Sequence, residues 1–172
     1  MKIDLDDTDK AILKLIQENS RWTMKEIAQK LHLSTTPIFD RMKKMEKNGV
    51  IQKYVAIVNQ KHVGKALTVF VHISISEHGK DALNSFVEAI TRHPEVIECH
   101  HISGDADFII KLVLADIEAY NVFIMEKLSV IPNVGKVESR FSLSQRKYTS
   151  TIPIDWWPYR YSLIVLVGRF LT

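Results

Sequence analysis

TMKEIAQKLHLSTTPIFDRMKKMEKNG, residues 23–49, decides the fold. The stretch carries the punctuation of two helices with a tight turn between them. Thr23-Met24-Lys25-Glu26 is a capping box: the Thr23 hydroxyl can accept from the Glu26 amide while the Glu26 carboxylate reaches back to the Thr23 amide. A short helix through Ile27, Ala28 and Leu31 follows. The turn His32-Leu33-Ser34 leads into a further helix, with Ser34 or Thr36 as its N-cap and Pro37 in its first turn, where a missing N–H costs little. Because proline disfavours helical geometry in the residue before it, Thr36 is the expected cap. On a helical wheel Ile38, Met42 and Met45 share one face, Asp40, Lys43, Lys44 and Lys47 share the opposite one, and Arg41 lies at the border. Gly49 then ends the helix as a left-handed residue beyond its C-terminus.

Upstream, Ala11, Ile12, Leu15 and Ile16 recur at helical spacing between Asp7 and Asn19, with aspartates ahead of them suited to the positive end of a helix. Downstream, Ile51 to Val58 alternates apolar and polar residues and predicts a strand. Three helices with a tight turn between the second and third, then a strand, form the layout of a winged helix-turn-helix, whose third helix lies in a DNA major groove. The outward face of that helix supplies the candidate contacts to double-stranded DNA. Thr35, Thr36, Asp40, Arg41 and Lys44 stand nearest the base edges, with Thr23, Ser34, Lys43 and Lys47 completing the set.

The charge distribution agrees. The formal net charge is +3, yet residues 1–62 hold 12 Lys+Arg against 8 Asp+Glu and the remainder hold 11 against 12. The positive excess therefore sits in the part predicted to meet a polyanion. A lysine-rich helical face is also what ordinary solvated surface looks like, so its weight comes from coinciding with the helix-turn-helix punctuation.

From Leu67 the period changes. Leu67, Val69, Val71, Ile73 and Ile75 alternate with Thr68, His72, Ser74 and Ser76, the pattern of a half-buried strand. Leu83, Phe86, Val87 and Ile90 form a helical stripe that stops before His93-Pro94. Strands are expected at Val96–Ser103 and Phe108–Leu114 with a turn at Gly104-Asp105, then a helix capped by Asp116, and a last strand at Val134–Leu143. The order β-α-β-β-α-β is the ferredoxin-like plan, an α+β fold with both helices on one face of an antiparallel sheet. The other face needs a cover, and a second copy of the chain is the usual one.

These motifs in this order resemble the Lrp/AsnC family of feast/famine, leucine-responsive transcriptional regulators. Leu5-Asp6-Asp7-Thr8-Asp9 with Ile12-Leu13, Leu33-Ser34-Thr35-Thr36-Pro37, Arg41-Met42-Lys43-Lys44-Met45-Glu46 and Gly49-Val50-Ile51 are similar to its DNA-binding half. Ser103-Gly104-Asp105-Ala106-Asp107-Phe108 is similar to the turn of its ligand-binding half. The resemblance covers about residues 3–154. It implies a regulator modulated by an amino acid or related small-molecule effector, and a homodimer that can assemble into an octamer. It assigns Ser103, Gly104, Asp105, Asp107 and, on the last strand, Ser139 to the effector. Turn amides can hold a carboxylate and an aspartate an ammonium. Without the resemblance, the residues favour reading Gly104-Asp105 as a plain hairpin turn.

The expected domains are 1–53 (winged helix-turn-helix), 54–66 (a linking strand), 67–154 (effector binding and dimerisation) and 155–172, an aromatic and apolar tail that departs from the family pattern. Cys99 is the only cysteine, which fits a reducing compartment, and no secretory signal is visible, so the expected location is cytoplasmic. The apolar run within 163–171 is well short of the roughly 20 residues a membrane span needs, and no membrane partner is expected. The seven histidines lack metal-ligand spacing, and neither a phosphate-cradling glycine loop nor a nucleophile elbow occurs; neither metal, cofactor nor catalytic residues are expected. The alternative is an enzyme on the same scaffold, since the sirohaem decarboxylases resemble this family in both halves; the basic recognition face argues for the regulator.

Overall fold

A computed structural model describes residues 3–154, which divide into two compact units. The tail predicted from residue 155 onward lies outside the described residues.

The first unit comprises the chain up to Ala56 together with the segment that begins at Tyr148. Helix α1 (Asp7–Glu18) starts from a capping box made by Asp6 and Asp9. Helix α2 (Met24–Leu31) starts from the expected box of Thr23 and Glu26. Helix α3 spans Thr35–Lys47. Their apolar faces meet in one core of Ile12, Leu13, Ile16, Ile27, Ala28, Ile38, Met42 and Met45. Residues 148–154, expected with the second domain, belong here: the Ile152 amide donates to the Gln17 side chain at 2.7 Å and Ile154 packs against the core. Helical periodicity cannot announce such a return, because it is a long-range contact.

Two further expectations are corrected. The N-cap of α3 is Ser34 rather than Thr36, and its side chain makes no capping hydrogen bond. Pro37 thereby becomes the third helical residue, so the N–H that a cap would take is missing, and proline is tolerated there because first-turn N–H groups have no intrahelical partner. The Leu33 amide donates to the Ala28 carbonyl at 2.9 Å and His32 adopts a left-handed conformation (φ 54°), which turns the chain into α3 two residues earlier than expected. The strand expected over Ile51–Val58, and with it the linking strand of 54–66, does not form. Residues 52–59 carry no regular structure and Gln60–Val63 is a 3-10 turn. Alternation supplies a face but not a partner, and no strand pairs with this segment among the described residues.

The second unit, Ile57–Lys147, is the expected α+β plan. Strands β1 (Leu67–Ile75), β2 (Val96–His101), β3 (Phe108–Leu114) and β4 (Val134–Phe141) form one antiparallel sheet in the order β2-β3-β1-β4. Helix α4 (Lys80–Ile90) and helix α5 (Ile117–Val122), which runs on as a π-helical turn over Phe123–Leu128, bury Phe86, Ile90, Phe123 and Leu128 against Val69, Val71, Ile73, Phe108, Ile110 and Leu112. Both helices thus lie on one face. Asp116 caps α5 as expected, accepting from the Ala119 amide at 2.9 Å. β2 and β4 end two residues before their expected limits, where their ladders run out. The opposite face carries Phe70, His72, Ile109 and Val113, all half-buried, among Lys111, Glu98, Glu138 and Arg140. Among the described residues no helix is long and apolar enough to cross a membrane, and no group of three or more His, Cys, Asp or Glu could hold a metal ion.

Candidate nucleic-acid interface and effector turn

In α3 the burial of Ile38, Met42 and Met45 leaves two neighbouring exposed rows at i, i+4 spacing. One is Thr35, Phe39, Lys43 and Lys47; the other is Thr36, Asp40 and Lys44. Ser34 is exposed at the helix start, and Gly49 (φ 71°) closes the end in the left-handed conformation that glycine accepts without strain. Seven of the nine predicted DNA contacts therefore sit on one exposed helix or at its cap.

The other two are engaged differently. The Thr23 hydroxyl both donates to the Glu26 carboxylate (2.8 Å) and accepts from the Glu26 amide (3.3 Å). Arg41 turns toward α1, its Nη1 donating to Asp6 Oδ2 at 2.5 Å and to Asp9 Oδ1 at 2.7 Å. Asp9 is only 7% exposed, so the guanidinium supplies the countercharge a buried carboxylate requires. The Asp9 carboxylate and then the Asp6 carboxylate raise the Arg41 pKa. The Asp6 carboxyl is held below its usual value, first by the Asp9 amide and then by Arg41. Tyr54 ties the chain after α3 back onto it, its hydroxyl donating to Glu46 at 3.0 Å; burial, and then that carboxylate, push its pKa up to about 12.

In the second unit the turn between β2 and β3 brings Ser103, Gly104, Asp105 and Asp107 together. Gly104 adopts φ 123°, which excludes side-chain-bearing residues without strain. Asp107 is bound into the fold: its amide donates to the Ile73 carbonyl at 3.0 Å, its carboxylate accepts from the Ile75 amide at 2.7 Å, and its other oxygen meets His78 Nε2 at 3.2 Å. Ser103, Gly104 and Asp105 are exposed, and the Asp105 carbonyl accepts from the Ser74 hydroxyl at 3.4 Å. Ser139 is not brought to this turn. It pairs with Val71, two residues before the Ile73–Ile75 end of β1 that the turn meets, and it bonds the Tyr120 hydroxyl at 2.8 Å on the helix-covered side. The structure adds residues that sequence reading missed. Next to the turn an open hollow of about 420 Å³ is lined by His78, Lys80, Asn84, Leu83, Val87, His101 and Phe108, with the His101 ring stacked on Phe108 at 4.9 Å. No motif joins residues from α4 to the ends of two strands, so only the fold could reveal them.

Comparison with known proteins agrees with this architecture. Residues 5–52 match a winged helix-turn-helix DNA-binding family model, and residues 68–152 match the Lrp/AsnC ligand binding domain. The chain belongs to the Lrp/AsnC family. The transcriptional regulator AzlB of Bacillus subtilis is 34% identical over 90% of this chain and 99% of its own length. The Bkd operon transcriptional regulator of Pseudomonas aeruginosa is 33% identical over 88% of this chain and 99% of its own. Among solved structures, a transcriptional regulator from Neisseria meningitidis in complex with L-methionine superposes with a TM-score of 0.84 at 31% identity, covering 88% of this chain and 98% of that one. An AsnC family regulator from Agrobacterium tumefaciens gives 0.83 at 38% identity, over 87% and 97%.

Proposed function

We propose that this Lrp/AsnC family member is a sequence-specific DNA-binding transcriptional regulator whose DNA binding or assembly responds to an amino acid or a related small metabolite. The observation that carries the reading is α3 itself, whose buried Ile38, Met42 and Met45 leave Thr35, Thr36, Asp40, Lys43, Lys44 and Lys47 exposed within a segment matched by a DNA-binding family model. The N-terminal residues of such a helix reach base edges and its lysines reach phosphates. Ser34 and Thr23 mark the starts of the two helices of the motif, where backbone N–H groups also suit phosphate.

The effector reading rests on the exposed turn at Ser103, Gly104 and Asp105, on the match to a ligand-binding family model, and on the L-methionine complex of the Neisseria relative. Asp107 serves this site by holding the turn against β1, and Ser139 is a more distant member. A second copy covers the open sheet face, where Phe70, Ile109 and Val113 stand half-buried, and such dimers can assemble further toward an octamer. A DNA-binding protein of this kind works in the cytoplasm.

The test is a salt titration of binding to the gene's own upstream DNA by the full chain and by Lys44→Ala. Removing one lysine–phosphate pair lowers the slope of log affinity against log salt by about 1. A reduced slope supports the reading; an unchanged slope removes Lys44 from the interface, and failure of the native chain to bind duplex in dilute buffer overturns the reading itself.

A further inference from the structure

The first exposed row of α3 contains one residue that neither the core nor the charge pattern explains. Phe39 is 47% exposed and takes no part in the hydrophobic core on which Ile38, Met42 and Met45 close. It lies between Thr35, one turn before it, and Lys43, one turn after, whose Nζ stands 5.5 Å from the ring centroid. A half-exposed phenyl ring at the centre of the exposed face of α3 leaves an apolar group free to meet whatever that face meets. On its own row it is flanked by the Thr35 hydroxyl and the Lys43 cation, with Thr36, Asp40 and Lys44 on the neighbouring row, so a polyanion can reach it and an apolar partner of like character is disfavoured.

In a DNA major groove the one apolar group on the base edges is the C5-methyl of thymine, and phenylalanine is among the side chains able to contact it. Phe39 is the fifth residue of α3, within the N-terminal part of a recognition helix that faces base edges. We infer that Phe39 reads sequence, packing its ring on a thymine methyl while Lys43 and its neighbours hold the phosphates. This rests on the DNA-binding reading above and deepens it, giving the site one apolar, thymine-specific contact per recognition helix.

The experiment selects duplexes from a random library with the full chain, then replaces each thymine of the selected duplex in turn with deoxyuridine, which removes only the methyl. For the native chain, one position per half-site should weaken binding about fourfold, the worth of burying one methyl, ~0.8 kcal/mol. The Phe39→Ala chain should be indifferent to uracil at that position, while Phe39→Leu should keep part of the discrimination. Equal uracil sensitivity in native and Phe39→Ala chains overturns the inference but leaves the regulator reading standing. So does a change in oligomeric state in Phe39→Ala without change in uracil sensitivity, which would assign the ring to a second copy. Selection of no duplex at all overturns both.

Discussion

At the scale of single residues, the largest departure from what periodicity implies is Arg41. A basic residue at the edge of a recognition helix reads as a DNA contact, yet its guanidinium bridges Asp6 and Asp9 on the opening of α1. Three charges from two distant parts of the chain close on one another because the Asp9 carboxylate is buried and needs a partner. Replacing Arg41 with Met is expected to destabilise the first unit by about 2 kcal/mol at neutral pH, in the range of charge-assisted hydrogen bonds. The difference from the native chain should depend on pH. The folded-state pKa of Asp6 is depressed below its usual value of 3.8, so the stabilisation that Asp6 supplies is complete above that value and disappears as the pH falls through the lower folded value. The part of the gap that comes from Asp6 should therefore shrink below about pH 4 when the denaturation midpoints of the two chains are compared. A gap that persists undiminished in acid would remove the Asp6 carboxylate as a cause. His32 is a second case: a side-chain-bearing residue held at φ 54° in the tight turn between α2 and α3, a conformation that histidine adopts more readily than most residues.

At the scale of elements, the β2–β3 turn combines order and exposure. Gly104 supplies the backbone conformation and Asp107 anchors the turn to β1 through the Ile75 amide, leaving Ser103 and Asp105 outward. Asp107→Ala should cost about 2 kcal/mol, because it leaves a buried amide without its charged acceptor. Hydrogen exchange at Ile75 should accelerate accordingly; unaltered protection there would show that another acceptor takes over. α3 divides its labour in the same way, with its apolar stripe inward, Arg41 toward α1, and two rows outward. The strand expected after α3 is instructive in the opposite sense. Ile51 and Val50 do pack on the core, but Val55, Ile57 and Val58 are exposed and unpaired, as they must be where no ladder partner lies among the described residues.

At the scale of the whole molecule, the second unit covers only one face of its sheet. Its open face mixes Phe70, Ile109 and Val113 with an ion-pair network of Lys111–Glu98 (2.8 Å) and Lys136–Glu138 (2.5 Å). An antiparallel sheet can leave one face to water, yet aromatic and β-branched residues at its centre suit a self-complementary partner. Phe70→Glu is expected to shift the chain toward monomer in light scattering while leaving the secondary structure intact. An unchanged mass would overturn the proposal that a second copy covers this face.

The amino-acid sequence by itself determined both folding units. Capping at Thr23 and Asp116, the apolar stripes of α1 to α4, the alternation of β1 and the apolar run of β3 are local patterns, each readable within a dozen residues. It also determined which face of α3 is exposed, since burial of Ile38, Met42 and Met45 leaves no other. Tertiary structure alone decided that Ser34 rather than Thr36 opens α3, that Arg41 faces α1, that residues 148–154 return to the first unit, that Ser139 bonds Tyr120 away from the turn, and that His78 meets Asp107. All but the first of these depend on contacts between residues far apart in the chain, and periodicity carries the direction of a side chain but not the identity of what it meets.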